Sequence, residues 1–184
     1  MQMKVLVAYA SKHGSTKGIA DFIGEKLRER GLEVDVLEVS QVQKLEAYGA
    51  FVLGSAVYLG HWMKEAKQFA SGNKTVLSTR PVWLFSSGPT GKEVKDAKGK
   101  DLLDPSVSGP FELGDLKEGL QVRGHRIFFG ALDGNKIGFF YRQLRKSETI
   151  RKAMQEGDFR DWKEIEAWSI EITRSLEETP PAAK

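Results

Sequence analysis

Cysteine is absent from this 184-residue chain. That absence excludes disulfides, thiolate metal ligands and cysteine nucleophiles, and it suits a cytoplasmic setting. Long apolar runs are missing too. Nothing approaches the ~20 consecutive apolar residues of a membrane-spanning helix, and no signal peptide opens the chain. Charge of one sign is not in large excess, and a formal net charge of +3 gives no case for nucleic acid as a partner. The three histidines, His13, His61 and His125, stand in no H-x-x-x-H or carboxylate cluster, so no metal site is expected. No internal repeat and no dividing linker is present. With 40% hydrophobic and 29% charged residues, residues 1–178 read as one soluble globular domain, followed by a short flexible tail at 179–184.

Two familiar phosphate loops are also missing. No Gly-Lys-Ser/Thr ending marks a nucleotide-triphosphate loop, and no G-x-G-x-x-G spacing marks a dinucleotide fingerprint. What the chain does carry is MKVLVAYASKHGST at residues 3–16. Its apolar run, residues 5–10, stops at Ser11-Lys12-His13-Gly14-Ser15-Thr16, and an amphipathic helical pattern starts at once. A buried strand, a turn of small hydroxyl residues and a helix start make an anion site, because the first helical N–H groups lack intrahelical partners. Ser11, Ser15 and Thr16 add hydroxyl donors, and Gly14 admits a phosphate close to the backbone. A phosphoacceptor receiver domain would want acidic residues here, where Ala10-Ser11 and Gly54-Ser55 stand; a small tyrosine phosphatase would want a cysteine. A cradle for a phosphate monoester remains, beside the plainer alternative of a helix capped by Ser15 or Thr16.

Further strands and helices alternate. Ile19, Ala20, Ile23 and Leu27 repeat at helical spacing up to Gly31, and residues 32–37 alternate like a half-buried strand. Residues 40–46 are a polar connector or a short helix. Residues 50–54 and 81–85 are continuous apolar runs, as expected of strands covered on both faces. A helix is expected from Trp62 or Met63 to about Ser71, a glycine-containing connector over 92–122, and a fifth strand over 125–132. Asp161, with Glu164 three residues on, predicts the N-cap of a last helix carrying Ile165, Trp168, Ile172 and Leu176. The fold class is α/β, a doubly wound parallel sheet of about five strands in the order 2-1-3-4-5 with helices on both faces.

In such a sheet ligands bind beyond the carboxyl ends of the strands, where the order reverses. Three loops meet there. The first, Ser11 to Thr16, takes phosphate. The second, Ala56-Val57-Tyr58-Leu59-Gly60-His61-Trp62, offers flat groups for a planar ring. The third, Ser86-Ser87-Gly88-Pro89-Thr90-Gly91, offers hydroxyls and backbone donors for polar ring edges. Core packing is the alternative for Tyr58 and Trp62 taken singly. Together the loops point to flavin mononucleotide, FMN, and these are its expected contacts.

The ASKHGST and SAVYLGHW loops and the chain length resemble the flavodoxin superfamily. Its phosphate loop reads Thr/Ser-x-Thr-Gly-x-Thr, so His13 stands where the family has a hydroxyl. FFGALD, the basic-aromatic segment after it and GDFRDW resemble the menaquinone-dependent protoporphyrinogen dehydrogenase branch. The resemblance implies FMN redox chemistry, with the loop after strand three holding the flavin ring and Gly60 free to reorient a peptide. It also implies either of two roles. One is an oxidoreductase passing electrons from a protoporphyrinogen-like substrate to a quinone; the other is an electron carrier docking redox proteins. Carriers are strongly acidic around the flavin, whereas Lys12, His13, His61 and Lys64 lie in or beside these loops, which favours the enzyme. Residues 136–152 interleave Phe139, Phe140 and Tyr141 with six basic residues, a composition suited to an acidic porphyrin or a peripheral membrane contact, or to a solvated helix.

Overall fold

The computed structural model describes residues 3–91, 99, 101–104, 106, 109–134 and 155–178. The expected tail, the basic-aromatic stretch at 136–152 and most of 92–108 lie outside the described residues. Apart from a two-residue strand β4 (His61–Trp62), the main sheet comprises β1 (Lys4–Ala10), β2 (Glu33–Glu38), β3 (Ala50–Tyr58), β5 (Pro81–Ser87) and β6 (Gln121–Phe128). They pair in parallel in the order β2-β1-β3-β5-β6, which is the expected order once β4 is set aside.

Strand β1 explains the two layers. Val5 and Val7 face one side, where they join Ile19, Ile23 and Leu27 of α1 (Ser15–Glu29) and the core stripe of the last helix. Leu6 and Ala8 face the other, with Phe51, Leu53 and Leu84 from the sheet and Ala66 and Ala70 from α2 (Lys64–Gly72). Leu77 joins them from the short α3 (Lys74–Leu77). A one-residue slip of β1 would exchange the two sets, so pattern and register support each other. Helix α1 ends at Gly31 (φ 82°), with Leu32 N–H on the Leu27 carbonyl at 3.3 Å and Gly31 N–H on that of Arg28 at 2.9 Å. That pair of bonds is the left-handed glycine stop. A short α4 (Leu113–Lys117) precedes β6, and a two-stranded ribbon pairs β7 (Ala131–Leu132) with β8 (Gly157–Asp158). The last helix, α5 (Trp162–Glu177), starts as expected: Asp161 Oδ1 accepts from the Lys163 and Glu164 N–H groups at 3.0 and 3.1 Å. Its Ile165, Trp168, Ile172 and Leu176 are buried, and Trp168 packs edge-on against Phe85 and Phe128. No described helix is long and apolar enough to cross a membrane.

Two local expectations need correction. Trp62 is not in α2, because the Leu59–Gly60 turn folds the chain back on β3, pairing Tyr58 with His61 and Val57 with Trp62. The polar stretch, expected as a connector or a short helix, opens with a single 3-10 turn, Val39–Gln41, and is otherwise a connector. The fifth strand is not 125–132 but β6, which begins at Gln121 and ends at Phe128 before a separate β7. Residues 121–124 lie at the edge of the sheet and alternate between exposed and half-buried, so they lack an apolar run.

Burial beneath the site makes a pH prediction. His125 is 9% exposed in β6, with Nε2 2.9 Å from Ser86 Oγ, which accepts the Trp62 indole N–H at 2.8 Å. Ser86 therefore donates to Nε2, the imidazole is neutral, and burial pushes its pKa down from 6.5 to about 4. The unfolded chain takes up this proton near 6.5 and the fold resists it until about 4, so the stability is complete above that window and is lost as pH falls through it. Between pH 7 and pH 5 the loss from His125 is about 2 kcal/mol. Urea unfolding of wild type and His125→Gln at both pH values should show that extra slope in wild type alone; parallel slopes would contradict it.

Candidate functional site

Helix α1 begins at an uncapped N-terminus. Its N-cap is Gly14 at φ 90°, no side chain caps it, and no acidic residue lies in its first turn. The expected alternative, a helix capped by Ser15 or Thr16, is therefore not what forms. Ser11 Oγ accepts the Gly14 N–H at 3.1 Å, closing the loop and leaving its own hydroxyl proton to donate outward. Thr16 is 1% exposed and its Oγ1 is buried without a hydrogen-bond partner. A buried hydroxyl in that state costs free energy until something pairs with it. Together with the open first turn of α1, it fits a bound phosphate oxygen.

The loop opens into a cleft of about 280 Å³. Ser11, Lys12, His13, Ser15 and Thr16 form one wall; Ala56, Val57, Tyr58 and Leu59 form the second, and Ser87, Gly88 and Thr90 the third. A fourth wall, Gly130-Ala131-Leu132, was missed in the sequence because FFGALD reads as one continuous strand. The available signal was Gly130 at the carboxyl end of a strand, level with the other loops. Ser15 holds this wall in place rather than reaching outward: its Oγ accepts the Ala131 N–H at 2.8 Å and lies 3.3 Å from Ser87 Oγ. Gly60 and Pro89 line an adjoining pocket of about 220 Å³ that shares Val57, Leu59 and Gly88 with the cleft.

Besides Gly14, the N-cap of α1, which is not among the cleft walls, four expected contacts lie off the cleft. Trp62 is 2% exposed and Ser86 fully buried, and they bond to each other within the core. The hairpin register places Trp62 opposite Val57 and not beside Tyr58. Gly91 is buried, and a Cβ there would come within 2.9 Å of the Gln155 amide. His61 points to Glu112, its Nδ1 2.6 Å from Oε1, and is absent from the cleft walls. Tyr58 is thus the aromatic that meets the cleft, with Lys12 Nζ 6.0 Å from its ring centroid. Tyr58→Ala should restore much of the flavin fluorescence quenched on binding. Trp62→Phe should leave quenching intact and instead destabilise the fold by about 0.5–1.5 kcal/mol through the lost bond to Ser86, whose hydroxyl keeps His125 as its partner. Equal effects on quenching from both changes would contradict this placement.

The charge pattern is less basic than the loops alone imply. Burial, then Lys12 beside it, hold the His13 imidazole below the usual histidine range, so it adds little charge near neutral pH. Glu112 enters from the 92–122 connector. Burial raises its pKa, but hydrogen bonds from Lys67 and His61 outweigh that and bring it down to about 2. A carboxylate thus stands beside the hairpin and pairs with the Lys67 ammonium at 2.8 Å.

Comparison with known proteins places this geometry. The Flavodoxin domain family matches residues 6–158. Protoporphyrinogen IX dehydrogenase [quinone] of Escherichia coli K12 is 28% identical over 86 residues, 46% of this chain and 48% of that protein. The aligned part thus spans about half the length of the curated relatives it matches. Among solved structures, a flavodoxin from the domain Archaea superposes with TM-score 0.58 at 15% identity, covering 96% of this chain and 100% of that one. Oxidised flavodoxin 2 of Bacillus cereus gives 0.58 at 20%, covering 94% and 99%. The rubredoxin oxygen:oxidoreductase of Desulfovibrio gigas gives 0.59 at 14%, covering 95% of this chain and 36% of that one. At such identities the superpositions establish the fold, and the family match over most of the chain establishes the rest: the protein belongs to the flavodoxin domain family, with FMN as its cofactor.

Proposed function

We propose that this protein is an FMN oxidoreductase that takes electrons from a reduced organic substrate of protoporphyrinogen type and passes them to a quinone. The observation that carries the reading is the mouth of the cleft. Leu59, 97% exposed, stands in one wall, Phe111, 76% exposed, packs on the neighbouring Gly60 just outside it, and Lys12 stands in another wall. An apolar edge with a cation in the cleft wall suits a flat, apolar or anionic small molecule. A carrier for protein partners would instead be expected to surround the flavin with carboxylates. The partial likeness to the Escherichia coli dehydrogenase supports the same choice.

The flavin supplies a group that accepts two electrons; the chain supplies its binding and surroundings. Thr16, Ser11 and the first turn of α1 would hold the phosphate, Tyr58 would border the ring, and the 130–132 wall would help keep water from it. A site with Lys12 in its wall and no carboxylate among the described cleft residues would penalise an anionic reduced flavin less than an acidic one. The two one-electron potentials should therefore lie close together, with each 59 mV of separation worth a factor of ten for one electron. In a spectroelectrochemical titration the one-electron-reduced form should stay a minor species. Reduced protein should be reoxidised quickly by a soluble naphthoquinone and slowly by a one-electron protein acceptor. Abundant one-electron-reduced flavin with the opposite acceptor preference would favour the carrier. The basic-aromatic stretch at 136–152 would be the place of contact with a quinone-bearing membrane surface.

A further inference from the structure

A contact just outside the cleft has no part in holding the cofactor. Leu59 and Gly60 make the two-residue turn between β3 and β4, at φ 52° and 80°. The left-handed region is uncommon for a residue with a Cβ. Leu59 is also 97% exposed, so its own packing does not hold the turn there. What holds it comes from about fifty residues further along the chain. The Phe111 N–H donates to the Gly60 carbonyl at 2.9 Å. The Phe111 ring covers Gly60 so closely that a Cβ would fall 2.5–3.1 Å from three ring atoms, and it lies 5.0 Å from the His61 ring, edge-on. Glu112 Oε1 accepts from His61 Nδ1 at 2.6 Å and from Lys67 Nζ at 2.8 Å, tying the hairpin to α2. The other carboxylate oxygen is buried without a partner. An ion pair with one oxygen left unsatisfied is a poor way to stabilise a fold but an effective way to fix a position.

We propose that Phe111 and Glu112 form a strap that positions the 59–60 turn for flavin chemistry, keeping the Gly60 carbonyl bonded to Phe111. This rests on the FMN reading above. One-electron reduction of a flavin can add a proton to the ring, and a carbonyl free to accept from that proton would favour the protonated form. With the strap closed, the Gly60 carbonyl would be withheld from that role, and a bound flavin would be favoured to exchange electrons in pairs. Phe111 and Glu112 touch no reacting atom; they act through the turn.

The test uses the full chain, with and without FMN, as wild type, Glu112→Ala, Glu112→Gln and Phe111→Ala. Two readouts are needed: amide hydrogen exchange by residue, and the share of one-electron-reduced flavin at half reduction. In Glu112→Ala and Phe111→Ala, exchange should quicken by about tenfold or more at residues 59–62 and 111–112 alone, the signature of local opening. The one-electron-reduced share should rise several-fold in the same two variants. Glu112→Gln keeps an oxygen that accepts both bonds and should resemble wild type. Unchanged exchange overturns the strap, and so does faster exchange with an unchanged one-electron share. A Glu112→Gln variant as altered as Glu112→Ala would make charge the cause and overturn it too. Wild-type protein that takes up no FMN would defeat the flavin reading and the redox role with it, while exchange in the unloaded chain would still show whether the turn is strapped.

Discussion

Thr16→Val should move cofactor affinity and fold stability in opposite directions. The Thr16 hydroxyl is buried and unpartnered in the unloaded chain. A methyl of the same shape removes an unsatisfied polar group whose burial costs about 1–3 kcal/mol. The unloaded variant should therefore be as stable as wild type or more so in urea. With FMN present the same hydroxyl would donate to a charged oxygen, a bond contributing about 1.5–3 kcal/mol. Its loss should raise the Kd for FMN by about tenfold to a hundredfold. Adding Ser11→Ala removes the second donor, and the pair should weaken FMN by about a hundredfold or more, short of strict additivity because the two share one anion. Unchanged affinity in the double variant would remove the loop from the site.

Gly54→Ala should have the largest effect on the fold itself. Gly54 lies in β3 between Tyr9 of β1 and Phe85 of β5, and a Cβ there would fall 1.9–2.5 Å from three atoms of the Phe85 ring. That ring is fully buried and held between Phe128 and Trp168, so it has no room to turn aside. Overpacking of this kind costs about 1–3 kcal/mol and occasionally more, against a total stability of about 5–15 kcal/mol. Gly54→Ala should lose at least about 3 kcal/mol in urea unfolding, or fail to accumulate as folded protein. Phe85→Leu introduced alongside should recover part of the loss by shrinking the obstacle. A Gly54→Ala protein with a wild-type urea midpoint would show that the β3–β5 packing is looser than described.

The β1–loop–α1 unit was legible because its signals are local. The apolar run ends, the hydroxyl loop follows, and the helical period starts within one stretch. The division of labour inside the loop was not legible. Ser15 and Thr16 are equivalent donors in a sequence, and only the fold turns one towards Ala131 and leaves the other buried and unpaired. Tyr58 and Trp62 were likewise interchangeable as aromatics beyond the third strand. The discriminating signal was Leu59-Gly60 read as a two-residue hairpin turn, which pairs Trp62 with Val57. Glu112 was the hardest to anticipate, because it arrives from a segment with weak periodicity and meets His61 through tertiary contact alone. The start of β6 was obscured for a related reason, since an edge strand does not need the apolar run that marks a central one.

The central claim is that the loop of Ser11 to Thr16 binds the phosphate of FMN. Its most direct test is a fluorescence titration of the unloaded protein with FMN and, in parallel, with riboflavin, which has the same ring and no phosphate. The cradle predicts FMN binding at least about a hundredfold tighter, the equivalent of about 2.7 kcal/mol of phosphate contacts. Equal affinity for the two flavins, or none for either, would contradict it.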